Sequence, residues 1–246
     1  MSYGYNGKVL RVDLGKRQVT IEERDEAYNR KYIGGRGYIA QTLLTETQKG
    51  IDPLGPQNKL IFALGTITGA PLPGSGRNSA GAKNPLTGGY GEAEAGGFFG
   101  PELKHAGFDA VIIEGQADKP VYLWVHDGEA EIRDASPLWG LPTKESQDAL
   151  RAELGDKSIR TAQIGPAGER LVRNACIVND LKHCYGRAGL GAVMGSKKLK
   201  AIAVRGKGGP ELANPEKVRE LARWVADNDQ KLSYSMYDLG TSGGLM

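Results

Sequence analysis

Along much of this chain apolar and polar positions alternate in short runs bounded by glycine, the period-two pattern of half-buried strands. "GKVLRVDL" and "RQVTIEE" read as a hairpin with Gly15 and Lys16 in its turn. "PVYLWVHDGEAEIRDA" reads more clearly, with an apolar strand, an Asp127–Gly128 turn of the type I′ kind and an alternating return strand. Further short strands, rich in Val and Ile, are predicted at "KLIFALG", "DAVIIEG", "RTAQIG", "RLVRNACIV" and "LKAIAVRG". Helical patterns are fewer. "TKESQDALRAEL" starts at Thr143 as N-cap, and "NPEKVRELARWVADN" has Asn214 as N-cap and Pro215 at the first helical position. Its Val218, Leu221, Ala222 and Val225 fall on one face, and residues 31 to 45 predict a third helix.

Hairpins without regular strand–helix alternation argue for an α+β fold with mainly antiparallel β-sheets and a few helices, and against a doubly wound nucleotide fold. "GKGGPELANP" reads as a linker. It divides the chain into residues 1–210 and 211–246, the second part being the start of a further helical unit with nothing to cover its apolar face.

Composition narrows the classes. The 246 residues are 39% hydrophobic and 25% charged, as in an ordinary globular protein. No apolar stretch approaches the roughly eighteen residues of a membrane span, and the start lacks the pattern of a secretory signal, so a cytoplasmic protein without a membrane is expected. The net charge of +3 is spread along the chain, which argues against nucleic acid. Cys176 and Cys184 form no CxxC pair, so on their own they hold neither a structural zinc nor an iron–sulfur cluster. Glycine is the outlier, 36 of 246 residues.

Two glycine-containing segments carry the signal, residues 69–107 and 182–204. Glycine lets backbone amides approach a ligand and form a concavity for anions, and an arginine among them adds a planar donor fork suited to phosphate or a heterocycle edge. Arg77 follows Gly74 and Gly76, while Arg187 follows Gly186 and precedes Gly189 and Gly191. Both stretches are therefore expected to expose bare backbone. The alternative is that the glycines make turns and bulges in twisted sheet. Nucleotide motifs fail: "GRAGLG" is GxxGxG, and "GAVMGSK" is one residue short of a P-loop with Ser before Lys. Glu92 and Glu94 could position a ligand or metal or be simply solvated. His105 and His126 read as ordinary surface groups, and Trp124, Trp139 and Trp224 as core or half-buried anchors. His183 and Cys184, adjacent on an extended chain, point to opposite sides and make no nucleophile pair.

The motifs "GYNGKVLRVDL", "IGGRG", "DPLGPQNKLIFALGTITGAPLPGSGR", "NPLTGGYG", "GGFFGPELKHAGFDAVIIEG", "IGPAGE" and "GRAGLGAVMGSKKLKAIAV" occur in one order. Together they closely resemble the N-terminal domain of the aldehyde ferredoxin oxidoreductase family, tungsten-dependent and occasionally molybdenum-dependent pterin enzymes. The likeness runs from about residue 4 to about residue 210. It implies a two-sheet, saddle-like platform under a bis-pterin cofactor, with Mg2+ bridging the two pterin phosphates through backbone carbonyls of the two loops. It also implies a [4Fe-4S] cluster bound mainly by segments outside this chain. Arg77 takes the place of the family arginine between pterin and cluster. Glu94 and Gly96 take the first-loop contact positions, and His183, Cys184, Gly186 and Arg187 those of the second loop. Family members often have Asn where Glu94 stands, Arg where His183 stands and Ala where Cys184 stands; a backbone contact survives these changes, a side-chain phosphate contact at His183 does not follow.

The function implied is the cofactor-binding part of an enzyme that oxidises aldehydes with water to carboxylic acids, passing electrons through the cluster to ferredoxin. Remaining domains or a completing subunit are implied partners, the oligomer is left open with a homodimer among the options, and the chain alone should not turn over. Alternatives are a relative reducing another carbonyl-type substrate and a non-catalytic module for a pterin or other phosphorylated ligand.

Overall fold

The structure, a computed structural model, describes residues 3–245. Met1, Ser2 and Met246, which the division into 1–210 and 211–246 includes, lie outside the described residues. The first half runs β1 (Lys8–Asp13), β2 (Gln18–Glu23), α1 (Glu26–Tyr32), α2 (Arg36–Glu46), β3 (Leu60–Leu64), β4 (Asn78–Lys83), β5 (Tyr90–Ala95), α3 (Phe99–His105) and β6 (Ala110–Glu114). The second runs β7 (Val121–His126), β8 (Glu129–Asp134), α4 (Thr143–Leu154), β9 (Arg160–Gln163), α5 (Pro166–Glu169), β10 (Ile177–Asn179), β11 (His183–Tyr185), α6 (Leu190–Ser196), β12 (Leu199–Arg205) and α7 (Pro215–Leu239).

Each half builds one six-stranded sheet, ordered β2-β1-β6-β3-β4-β5 and β11-β10-β9-β12-β7-β8. Most pairs are antiparallel; β1 with β6 and β7 with β12 are parallel. The architecture is α+β, as the strand patterning predicts. The sheets face each other across the main core, where Leu10, Phe62 and Val111 of the first meet Leu123, Ile202 and Val204 of the second. The outer face of the first sheet, Val9, Ile61 and Ile112, is covered by Tyr38, Ile39 and Leu43 of α2. Leu150 of α4 covers Tyr122, Ala201 and Ala203 on the other. Burial on both faces explains why β3 reads as an unbroken apolar run.

Both predicted hairpins form. In the second, Asp127 (φ 43°) and Gly128 (φ 86°) make the two-residue turn that closes His126 against Glu129. In the first, Gly15 and Lys16 lie in the turn as expected, the Asp13 carboxylate accepting the Lys16 amide at 3.0 Å, and the positive φ falls on Arg17 (52°). Residues 31 to 45 are two helices instead of one, broken where Ile33, Gly34 and Gly35 all take positive φ. Thr143 is the first helical residue, Pro142 holding the N-cap position. Asn214 does cap α7, accepting the Lys217 amide at 2.8 Å. Along that helix Leu221 and Trp224 are exposed, so Trp224 is no core anchor. "RLVRNACIV" yields only the three-residue β10.

Candidate functional site

β5 ends the first sheet and β11 ends the second, and these edges adjoin; the Tyr185 hydroxyl on β11 donates to the Asn78 side-chain oxygen on β4, tying one sheet to the other. The loop 69–77 before β4 and the turn after β5 lie beside this seam. Asn179 Nδ2 donates to the Gly96 carbonyl at 2.6 Å, and Asp180 accepts the Phe98 amide at 3.2 Å. Burial raises the Asp180 carboxyl pKa, opposed by the amides it accepts. A Cβ on Gly76 would stand 2.6 Å from the Gly97 oxygen, so the two loops need glycine to close on each other.

This packing leaves a cleft of about 980 Å³, lined among others by Gly74, Arg77, Gly97, Phe98, His105 and His183. A second hollow of about 370 Å³ lies among Arg77, Ala93, Glu94, Gly186 and Arg187. Arg77 borders both. Its side chain is 66% exposed and that of Arg187 68%. Arg77 Nη1 stands 3.6 Å from Glu94 Oε2, and Arg187 Nη2 donates to Glu92 Oε2 at 3.2 Å. Arg36, opening α2, reaches the same carboxylates.

Of the residues singled out from sequence, Arg77, Glu94, Gly96, His183, Gly186 and Arg187 come together around these hollows. Cys184 does not. Successive strand residues face opposite ways, and its thiol meets that of Cys176; burial first, then this neighbour, raises its pKa. His105 is half-buried, its Nε2 2.9 Å from the Gly69 oxygen, and belongs to the cleft instead of being an ordinary surface group.

The expectation that both glycine-rich stretches expose bare backbone is met only in part, much of each being folded into sheet or helix. Residues 78–83 and 90–95 are β4 and β5, their amides engaged in the ladder. Gly191 lies buried in α6, and a Cβ there would run into the Cys176 carbonyl. Open backbone remains around Gly74 and Gly186, whereas the Gly96 carbonyl and the Phe98 amide are already engaged by Asn179 and Asp180. A Cβ on Gly74 would meet nothing within 4 Å, and one on Gly186 only the Cys184 oxygen at 3.9 Å. Arg36 and Phe98 were missed: Arg36 lies 58 residues from Glu94, and nothing local in the sequence announces the pairing.

The surface suits an anionic ligand. Three exposed guanidiniums outnumber two carboxylates, and the floor beneath them is open. Among the described residues no three His, Cys, Asp or Glu side chains are grouped to hold a metal. Among the described residues, too, no helix is long and apolar enough to cross a membrane.

A family model for the aldehyde ferredoxin oxidoreductase N-terminal domain matches residues 9–206. The tungsten-containing aldehyde ferredoxin oxidoreductase of Pyrococcus abyssi is 47% identical over 243 residues, covering 99% of this chain and 39% of that protein. The aliphatic sulfonate oxidoreductase WOR-like subunit of Pyrococcus furiosus is 39% identical over 237 residues, covering 90% of this chain and 38% of that protein. Among solved structures, the active site complex BamBC of benzoyl coenzyme A reductase with 1,5-dienoyl-CoA superposes with a TM-score of 0.90 at 37% identity, covering 94% of this chain and 35% of that one. The chain thus spans well under half the length of the relatives it matches. It belongs to the aldehyde ferredoxin oxidoreductase family.

Proposed function

We propose that this chain is the cofactor platform of a tungstopterin oxidoreductase that oxidises aldehydes to carboxylic acids. The observation that carries the reading is the cluster of exposed arginines over open backbone at the seam of the two sheets. A tungsten or molybdenum bis-pterin would supply the two-electron redox centre when bound. The residues of this chain bind and orient it. Arg187 and the amides beside Gly186 meet phosphate, and Arg77, bordering both hollows, lies where pterin and the [4Fe-4S] cluster would adjoin. Gly96 lets the pterin approach the backbone, and His183, packed against it, closes one side of the cleft. A Mg2+ accompanying the cofactor would be held by backbone carbonyls near Glu94 and Cys184, contacts that do not depend on the side chains at those positions.

In this reading residues 1–210 are the platform and 211–246 open a helical second domain, whose exposed Leu221 and Trp224 would be covered there. The cluster ligands, the substrate pocket and the ferredoxin contact would belong to the remaining domains or a completing subunit, in the cytoplasm. A second reading keeps the platform and changes the reaction. It is favoured by similar proteins named for an aliphatic sulfonate and for benzoyl coenzyme A.

Replacing Arg77 or Arg187 by Ala in the complete protein should lower tungsten and pterin bound per protein. Each charge-assisted contact contributes about 1.5–3 kcal/mol, a loss of affinity of about tenfold or more. Elemental analysis and pterin fluorescence read it directly. Lys should rescue only in part, being a point charge and not a fork. Full retention of both in both Ala variants would contradict the proposal.

A further inference from the structure

Around β5 the charges alternate in a chain: Arg187, Glu92, Arg36, Glu94, Arg77. Glu92 and Glu94, two apart on the strand, share the face that α2 covers, and Arg36 at the first position of that helix stands between them. Arg36 Nη2 pairs closely with Glu94 Oε1 and lies 3.9 Å from Glu92 Oε2. Glu92 differs from its neighbour in burial. Its side chain is only 7% exposed, its Oε1 is buried without a hydrogen-bond partner, and its Oε2 takes one donor, Arg187. A carboxylate so buried cannot lose its cation without a large penalty. Arg187 is therefore not free to turn toward an incoming phosphate unless another cation takes its place.

We infer that Arg36 is that replacement, a positioning residue that takes over Glu92 when Arg187 turns to an anion. This rests on the reading of the hollow as a seat for phosphate. At 3.9 Å Arg36 is close enough to complete the pair by a small side-chain adjustment, while its anchor on Glu94 keeps it in place. Arg36 also leaves Glu94 less dependent on Arg77, whose contact at 3.6 Å is loose. Without Arg36 the two remaining arginines face two carboxylates one to one, and the excess of positive charge is gone.

The test is calorimetric titration of the full chain with pyrophosphate as probe, using Arg36→Ala, Glu92→Gln and their combination. Arg36→Ala should weaken pyrophosphate binding by about tenfold or more. Adding Glu92→Gln should restore most of it, because the buried charge that holds Arg187 is then gone. Adding Glu129→Gln, an exposed residue at the start of β8 remote from the seat, restores the same net charge and should not rescue. Arg36→Lys should rescue only in part. Unchanged binding in Arg36→Ala, or equal rescue by Glu129→Gln, would overturn the exchange of partners while leaving the seat standing if Arg187→Ala still weakens binding. Absence of pyrophosphate binding by the unaltered chain would overturn both.

Discussion

At the scale of single residues, Lys197 shows how much polar chemistry this core contains away from the seat. Its amine is buried and donates to the carbonyls of Asn58 and Gly115, holding the approach to β3 against the end of β6. Burial, reinforced by Lys59, pushes its pKa down from 10.5 to about 7. A neutral amine has two N–H groups, which match the two carbonyls, so deprotonation costs no hydrogen bond. With the folded pKa lowered, the unfolded chain holds the extra proton between about pH 7 and pH 10.5, and stability must rise with pH across that window. Between pH 7 and pH 9 the gain should be about 2 kcal/mol. Denaturant unfolding of Lys197→Met should lose this slope, and an unchanged slope would show that another group carries it.

At the scale of elements, α6 divides the second glycine-rich segment between two unrelated duties. Gly186 leaves the floor of a hollow open, whereas Gly191 and Gly195, one turn apart, let α6 press its backbone against residues 175–176 and against α5. A Cβ on Gly195 would collide with the carbonyl of Gly168, and no rotamer change can relieve a backbone clash. Gly195→Ala should therefore destabilise the fold by about 1–3 kcal/mol, measured as a lowered denaturant midpoint, while Gly186→Ala should leave that midpoint nearly unchanged. The sequence pattern revealed the strands rich in bulky apolar residues, such as β1, β3, β7 and β12. It hid β4 and β5, "NSAGAK" and "YGEAEA", because small side chains there signal loop as readily as strand. They are small for a tertiary reason: Ile39 of α2 leaves no room for a side chain on Gly81, and Ala188 crowds Gly91. Glycine chosen for packing and glycine chosen for a ligand look alike until the neighbours are known.

At the scale of the whole molecule, the seat lies at the seam where the edge of one sheet meets the edge of the other. That is why its parts are scattered: Arg36 from α2, Arg77 before β4, Glu92 and Glu94 on β5, His183 on β11 and Arg187 beyond it. The family resemblance, not their local glycines, places Arg77, Gly186 and Arg187 at one locus, and all three do border the second hollow. The partnership of Arg36 with Glu94 was illegible, because no spacing rule links a helix N-terminus to a strand so far along the chain. Cys184 illustrates the converse, a position in the right motif whose side chain turns away from the hollows toward Cys176. The platform's claim to hold a metal-bearing pterin is tested most directly by anomalous scattering at the tungsten absorption edge from crystals of the complete, metal-replete protein. A strong peak over the hollows bordered by Arg77, Gly186 and Arg187 is predicted. A peak elsewhere, with this seam covered by packed protein, would contradict the account.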